Sequence, residues 1–100
     1  MVEQVIPDAG KLVELAERVL SGTGADNALD VLIEVALFEP DRGAVAVRAN
    51  HAGTKVIYTN SIGTDATCWA PDWTLNRLKA ATELRARAAS SDTAMSEGEV

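Results

Sequence analysis

Cys68 and His51 each occur once in this 100-residue chain and are the first pair to weigh for chemistry, as nucleophile and base. Such catalysis needs thiol and imidazole within hydrogen-bond reach and a third group to orient the imidazole. His51 stands in Asn50-His51-Ala52-Gly53, which has turn chemistry, and Cys68 in a run that reads as a strand. No glycine-rich elbow flanks either, so the thiol reads as a buried structural cysteine and no catalytic residue is assigned. A single cysteine cannot close an intrachain disulfide, and one cysteine with one histidine cannot build a Cys/His metal cluster.

Three carboxylates form the next constellation. Asp26, Asp30 and Glu34 recur every fourth residue, which sets them on one helix face about 6 Å apart by helix geometry. Holding a divalent ion would take a second carboxylate-bearing segment of defined spacing, and none is visible, so no metal is assigned. The bland reading is a solvated helix face, and the sharper one an acidic stripe that meets a basic partner surface. Trp69 and Trp73 flank Pro71. They read first as a core plug where a strand passes into a helix, and second as partner-binding hot spots. Asp26, Asp30, Glu34, Trp69 and Trp73 are therefore the candidate partner-binding residues. Arg48, Lys55 and Tyr58 suggest a basic, partly aromatic sheet face of the kind that binds single-stranded nucleic acid.

The elements that must position these residues follow from periodicity. Asp8 can cap a first helix with Leu12, Leu15, Ala16 and Val19 on its apolar side and Glu14 and Arg18 paired on the wet side, ending at Ser21-Gly22-Thr23-Gly24. A second helix from about Ala25 carries nine apolar residues among the eleven from Ala28 to Phe38 and stops at Glu39-Pro40. Residues 44–48, 55–59 and 66–70 alternate as three short strands joined by Asn- and Gly-containing turns, an antiparallel meander closed by Pro71. Asp72 or Thr74 can cap a last helix through about Ala88, with Lys79, Glu83 and Arg87 as an i, i+4 ladder. The expected fold is α+β: two N-terminal helices, a three-stranded meander and a C-terminal helix form one domain over residues 1–88. Residues 89–100 form an acidic, disordered tail.

Composition bounds the rest. The chain is 47% hydrophobic and 24% charged, which fits one soluble globular domain too small for a nucleotide-binding architecture with its substrate pocket. No apolar run reaches membrane-spanning length and the start lacks the basic region of a signal peptide, so a cytoplasmic protein without membrane attachment is expected. Net charge is −6, and the first 41 residues hold nine acids against two bases, which disfavours a phosphate backbone as partner.

Two stretches carry a resemblance. Asp26-Asn27-Ala28-Leu29-Asp30-Val31-Leu32-Ile33-Glu34-Val35-Ala36-Leu37, preceded by a helix and a Gly-Thr-Gly turn, resembles the leading helical element of the phage ABA-sandwich family. Ala70-Pro71-Asp72-Trp73-Thr74 is similar to that family's Ala-Pro-x-aromatic-Thr step into its next helix. The resemblance implies a phage or prophage accessory protein with helices packed on a small sheet, and it assigns no functional residue. The leading expectation is a non-enzymatic interaction protein without cofactor, in its sharpest form an inhibitor of a host defence complex of the anti-CRISPR type, acting through its acidic surface on a host protein. A nucleic-acid-binding regulator using the basic C-terminal helix and the sheet face is the alternative, and a small enzyme the third. The over-apolar second helix further suggests a homodimer through that helix or the opposite sheet face, unless the helix is sandwiched within one chain.

Overall fold

The structure, a computed structural model, describes residues 9–41 and 43–98, with side chains as far as Ser90. Two helices pack on one side of a central third helix and a three-stranded sheet packs on its other side. Helix α1 (Ala9–Ser21) buries Leu12, Ala16 and Val19, the stripe that its periodicity predicts; its expected cap, Asp8, lies outside the described residues. Helix α2 (Asn27–Leu37) begins one residue after Asp26, whose carboxylate accepts the Leu29 backbone N–H at 3.1 Å as an N-cap. A 3-10 turn (Trp73–Asn76) leads into α3 (Arg77–Gly98).

Strands β1 (Ala46–Ala49), β2 (Val56–Thr59) and β3 (Asp65–Cys68) pair antiparallel in the order β1-β2-β3, the expected meander with each strand shifted by a residue or two. Its two turns are built alike. Asn50 and Asn60 each accept backbone N–H groups through Oδ1, and each is followed three residues later by a glycine at positive φ, Gly53 at 73° and Gly63 at 90°. A side chain would strain both positions.

Helix α2 is the centre of the molecule. Its Leu29, Ile33 and Ala36 join Leu12, Ala16 and Val19 of α1 and Ala80, Ala81, Leu84 and Ala88 of α3 in one core. Its Val31, with Val35 and Phe38, packs on Val47, Val56 and Tyr58 of the sheet in a second. The run of nine apolar residues is thus covered on both sides by one chain. Sandwiching removes the reason for pairing through α2, where Leu32 is the exposed large apolar residue.

Two local expectations are corrected. Asp72 makes no side-chain cap bond; the Asn76 Oδ1 caps α3 instead by accepting the Lys79 N–H at 3.1 Å, and Thr74 is buried within the preceding turn. Helical backbone also continues past Ala88 to Gly98, because no proline or glycine interrupts residues 89–97. The core side chains of α3 end at Ala88, and those from residue 91 onward lie outside the described residues. Among the described residues no helix is long and apolar enough to cross a membrane.

Candidate functional site: a buried carboxylate joint and an open sheet face

Of the three carboxylates, Asp30 and Glu34 turn inward, and Asp26 caps the helix that carries them. Asp30, 4% exposed, accepts both the backbone N–H (2.7 Å) and the hydroxyl (2.8 Å) of Thr74 through one oxygen. The Thr74 Oγ1 accepts the Asp26 N–H at 2.7 Å, so this one side chain ties both the start and the first turn of α2 to the turn before α3. One helical turn on, Glu34 accepts the Tyr58 hydroxyl at 2.5 Å and the Trp73 indole N–H at 3.0 Å. Burial, reinforced by the neighbouring Glu34 carboxylate, pushes the Tyr58 phenol well above its ordinary pKa. The solvated face expected from spacing is therefore a polar joint that clamps sheet, turn and α3 onto α2. Both oxygens of Glu34 and one oxygen each of Asp30 and Asp26 accept protein donors, and no group of three His, Cys, Asp or Glu among the described residues is arranged to hold a metal.

The structure brings Asp26, Asp30, Glu34 and Trp73 together and leaves Trp69 elsewhere. Trp73 is half-buried against the helical core, as the core-plug reading has it. Trp69 is 66% exposed. It continues the outer alternation of β3, with the Lys55 Nζ lying 4.6 Å from the centre of its ring. Arg48 lies on the same outer face and pairs with Asp65 at 2.9 Å, and Asp65 also accepts the Thr59 hydroxyl at 2.7 Å. The Thr59 hydroxyl, then Arg48, hold the Asp65 carboxyl below its usual value. Tyr58, expected beside Arg48 and Lys55, faces the other way because successive strand residues alternate. The resulting outer face presents Arg48, Lys55, Ile57, Thr59, Asp65, Thr67 and Trp69, and no helix packs on it among the described residues.

Two of the four basic residues of α3, Arg77 and Arg87, are committed within the chain. Arg77 donates to the Val19 carbonyl through Nη1 (2.8 Å) and to the Gly24 carbonyl through Nε (3.0 Å) and Nη2 (2.8 Å), closing the C-terminus of α1. Arg87 donates to the Leu37 carbonyl and pairs with Glu39, both at 2.9 Å, where an i, i+4 ladder with Glu83 was expected. Sequence spacing missed both contacts because the acceptors are backbone carbonyls roughly fifty residues away. Cys68 is exposed on β3, not buried, because α2 covers β1 and β2 and stops short of the third strand. His51 is exposed in its turn, and no hydrogen bond joins it to Cys68 among the described residues. No family model matches the chain, and neither a curated protein nor a solved structure does.

Proposed function

We propose that the chain is a non-enzymatic interaction protein that engages a partner protein through the open face of its sheet. The observation that carries this is Trp69, two-thirds exposed on a face that no helix covers among the described residues. Large exposed aromatics concentrate binding energy at interfaces, and stacking under Lys55 orders this one before a partner arrives, which lowers the entropy lost on docking. A phage- or prophage-encoded inhibitor of a host defence complex is the sharper form of this reading, supported by the sequence resemblance. In that form the acidic contacts come from carboxylates such as Asp41 and Asp72, which are exposed; Asp30 and Glu34 are spent on the internal joint, and Glu39 pairs with Arg87.

A second reading, single-stranded nucleic acid on the same face, draws on the Lys55–Trp69 stack and Arg48. It is the weaker one because Arg48 is neutralised by Asp65, Arg77 and Arg87 serve carbonyls, and the chain is acidic overall.

The test is capture from a lysate of the native host on immobilised wild-type, Trp69→Ala and Glu14→Gln protein, with and without nuclease. A protein held by wild type and Glu14→Gln, lost on Trp69→Ala and indifferent to nuclease is the expected result. Capture that Trp69→Ala leaves intact rules out the sheet face, and capture abolished by nuclease transfers the face to nucleic acid.

A further inference from the structure

Helices α1 and α3 pack along their lengths and run antiparallel, since Arg77 at the start of α3 grips Val19 in the last turn of α1. Their facing stripes are Leu12, Ala16 and Val19 on one and Ala80, Ala81, Leu84 and Ala88 on the other. Leu15, packed against the core, and Arg87, bound to the Leu37 carbonyl, mark the flank turned toward α2. At 100° per residue, Val13, Glu17 and Leu20 of α1 and Leu78 and Arg85 of α3 fall on the opposite flank. Among the described residues nothing covers that flank. Leu78 is 70% exposed, Leu20 41% and Val13 37%, and Leu75 in the adjoining turn is 71% exposed. Glu17 and Arg85 are exposed there, and neither has an ion-pair partner among the described residues.

We propose that this flank is the interface of a symmetric homodimer in which α1 of each copy lies against α3 of the other. The charge arrangement selects a second copy as the occupant: the α1 side carries an unpaired acid and the α3 side an unpaired base. A twofold axis parallel to the helices brings Glu17 of one copy toward Arg85 of the other, twice. The same rotation keeps each residue at its own height. Leu20 and Leu78, which flank the Arg77–Val19 contact in sequence, then meet Leu78 and Leu20 of the second copy. The product is an antiparallel four-helix layer with both sheets outside, so the Trp69 face stays open and the dimer is independent of what binds there.

Light scattering on the full chain tests this between about 1 and 200 µM, because the mass of a reversible dimer depends on concentration. The mass is expected to climb from 10.6 kDa toward twice that value. Leu78→Glu, Glu17→Arg and Arg85→Glu should each raise the midpoint concentration by about tenfold or more, and Glu17→Arg combined with Arg85→Glu should bring it back. All these positions are exposed in the monomer, and circular dichroism verifies that each variant is folded. A wild-type mass that stays at 10.6 kDa overturns the proposal. So does a dimer that Leu78→Glu leaves intact, or a charge-reversed pair that fails to recover.

Discussion

One oxygen of the Asp30 carboxylate receives both the backbone N–H and the hydroxyl of Thr74, 44 residues further along the chain. Both residues are buried, so neither water nor a neighbouring turn can replace the partner that a mutation removes. Asp30→Ala strips the Thr74 N–H of its acceptor and leaves the hydroxyl only the Asp26 carbonyl at 3.4 Å; it should cost about 3 kcal/mol, and Thr74→Val, which keeps the N–H bond, about 2 kcal/mol. Because the two share one contact, the double variant should lose less than the sum of the singles. Urea unfolding of the four proteins measures this. Strict additivity would show that the contact is not the unit that matters.

Gly22 sits under the Arg77 clamp. A Cβ built there would lie 2.7 Å from Nη1, and that guanidinium is pinned by carbonyls of α1 and its following turn. Gly22→Ala should therefore displace Arg77 and cost about 1–2 kcal/mol, close to the cost of Arg77→Ala itself. In the Arg77→Ala background the glycine substitution should be nearly free. Equal penalties in both backgrounds would mean that the glycine serves some other purpose.

The helices were legible because their apolar residues recur at three and four, and the meander because Asn and Gly mark both turns. The direction in which α2 carries its acids was not legible. Spacing says that Asp26, Asp30 and Glu34 share a face; what covers that face, Tyr58, Trp73 and Thr74, arrives from 24 to 48 residues away. Arg77 and Arg87 were misread for the same reason, since a backbone carbonyl leaves no mark in the sequence. Lys55 and Trp69 form a pair that strand register could have revealed, because alternation sets both on the outer face at one end of the sheet.

Removal of the residues after Ser90 should leave stability unchanged within about half a kcal/mol, the range of changes away from packed features. Among the described residues the last core side chain of α3 is Ala88, and Ala89 and Ser90 beyond it are exposed. A drop of several degrees in Tm on truncation would show that the tail packs.

Alkaline pH should unfold the protein through Tyr58. Its folded pKa is raised, so the neutral phenol contributes stability that is fully present below the ordinary value of 10.0 and is lost as pH rises from there toward the folded value. Between about pH 10 and pH 12 the wild type should lose Tm more steeply than Tyr58→Phe, which has no proton to release. Parallel curves would mean that the phenol ionises as readily folded as unfolded.

The two tryptophans should separate cleanly in fluorescence and in stability. Trp73 is half-buried and its indole N–H is bound to Glu34; Trp69 is 66% exposed with Lys55 above it. Trp69→Phe, which retains only Trp73, should emit further to the blue and resist iodide, while Trp73→Phe should emit near the solvent-exposed limit and quench readily. Their unfolding free energies should differ in the opposite sense. Replacing the exposed ring should stay within about 0.5 kcal/mol of wild type, and replacing Trp73, which removes the Glu34 bond and part of the core wall, should cost roughly 1–3 kcal/mol. If Trp69→Phe proves the more destabilising of the two, the outer sheet face is covered in solution. The open face on which partner binding is proposed would then not exist.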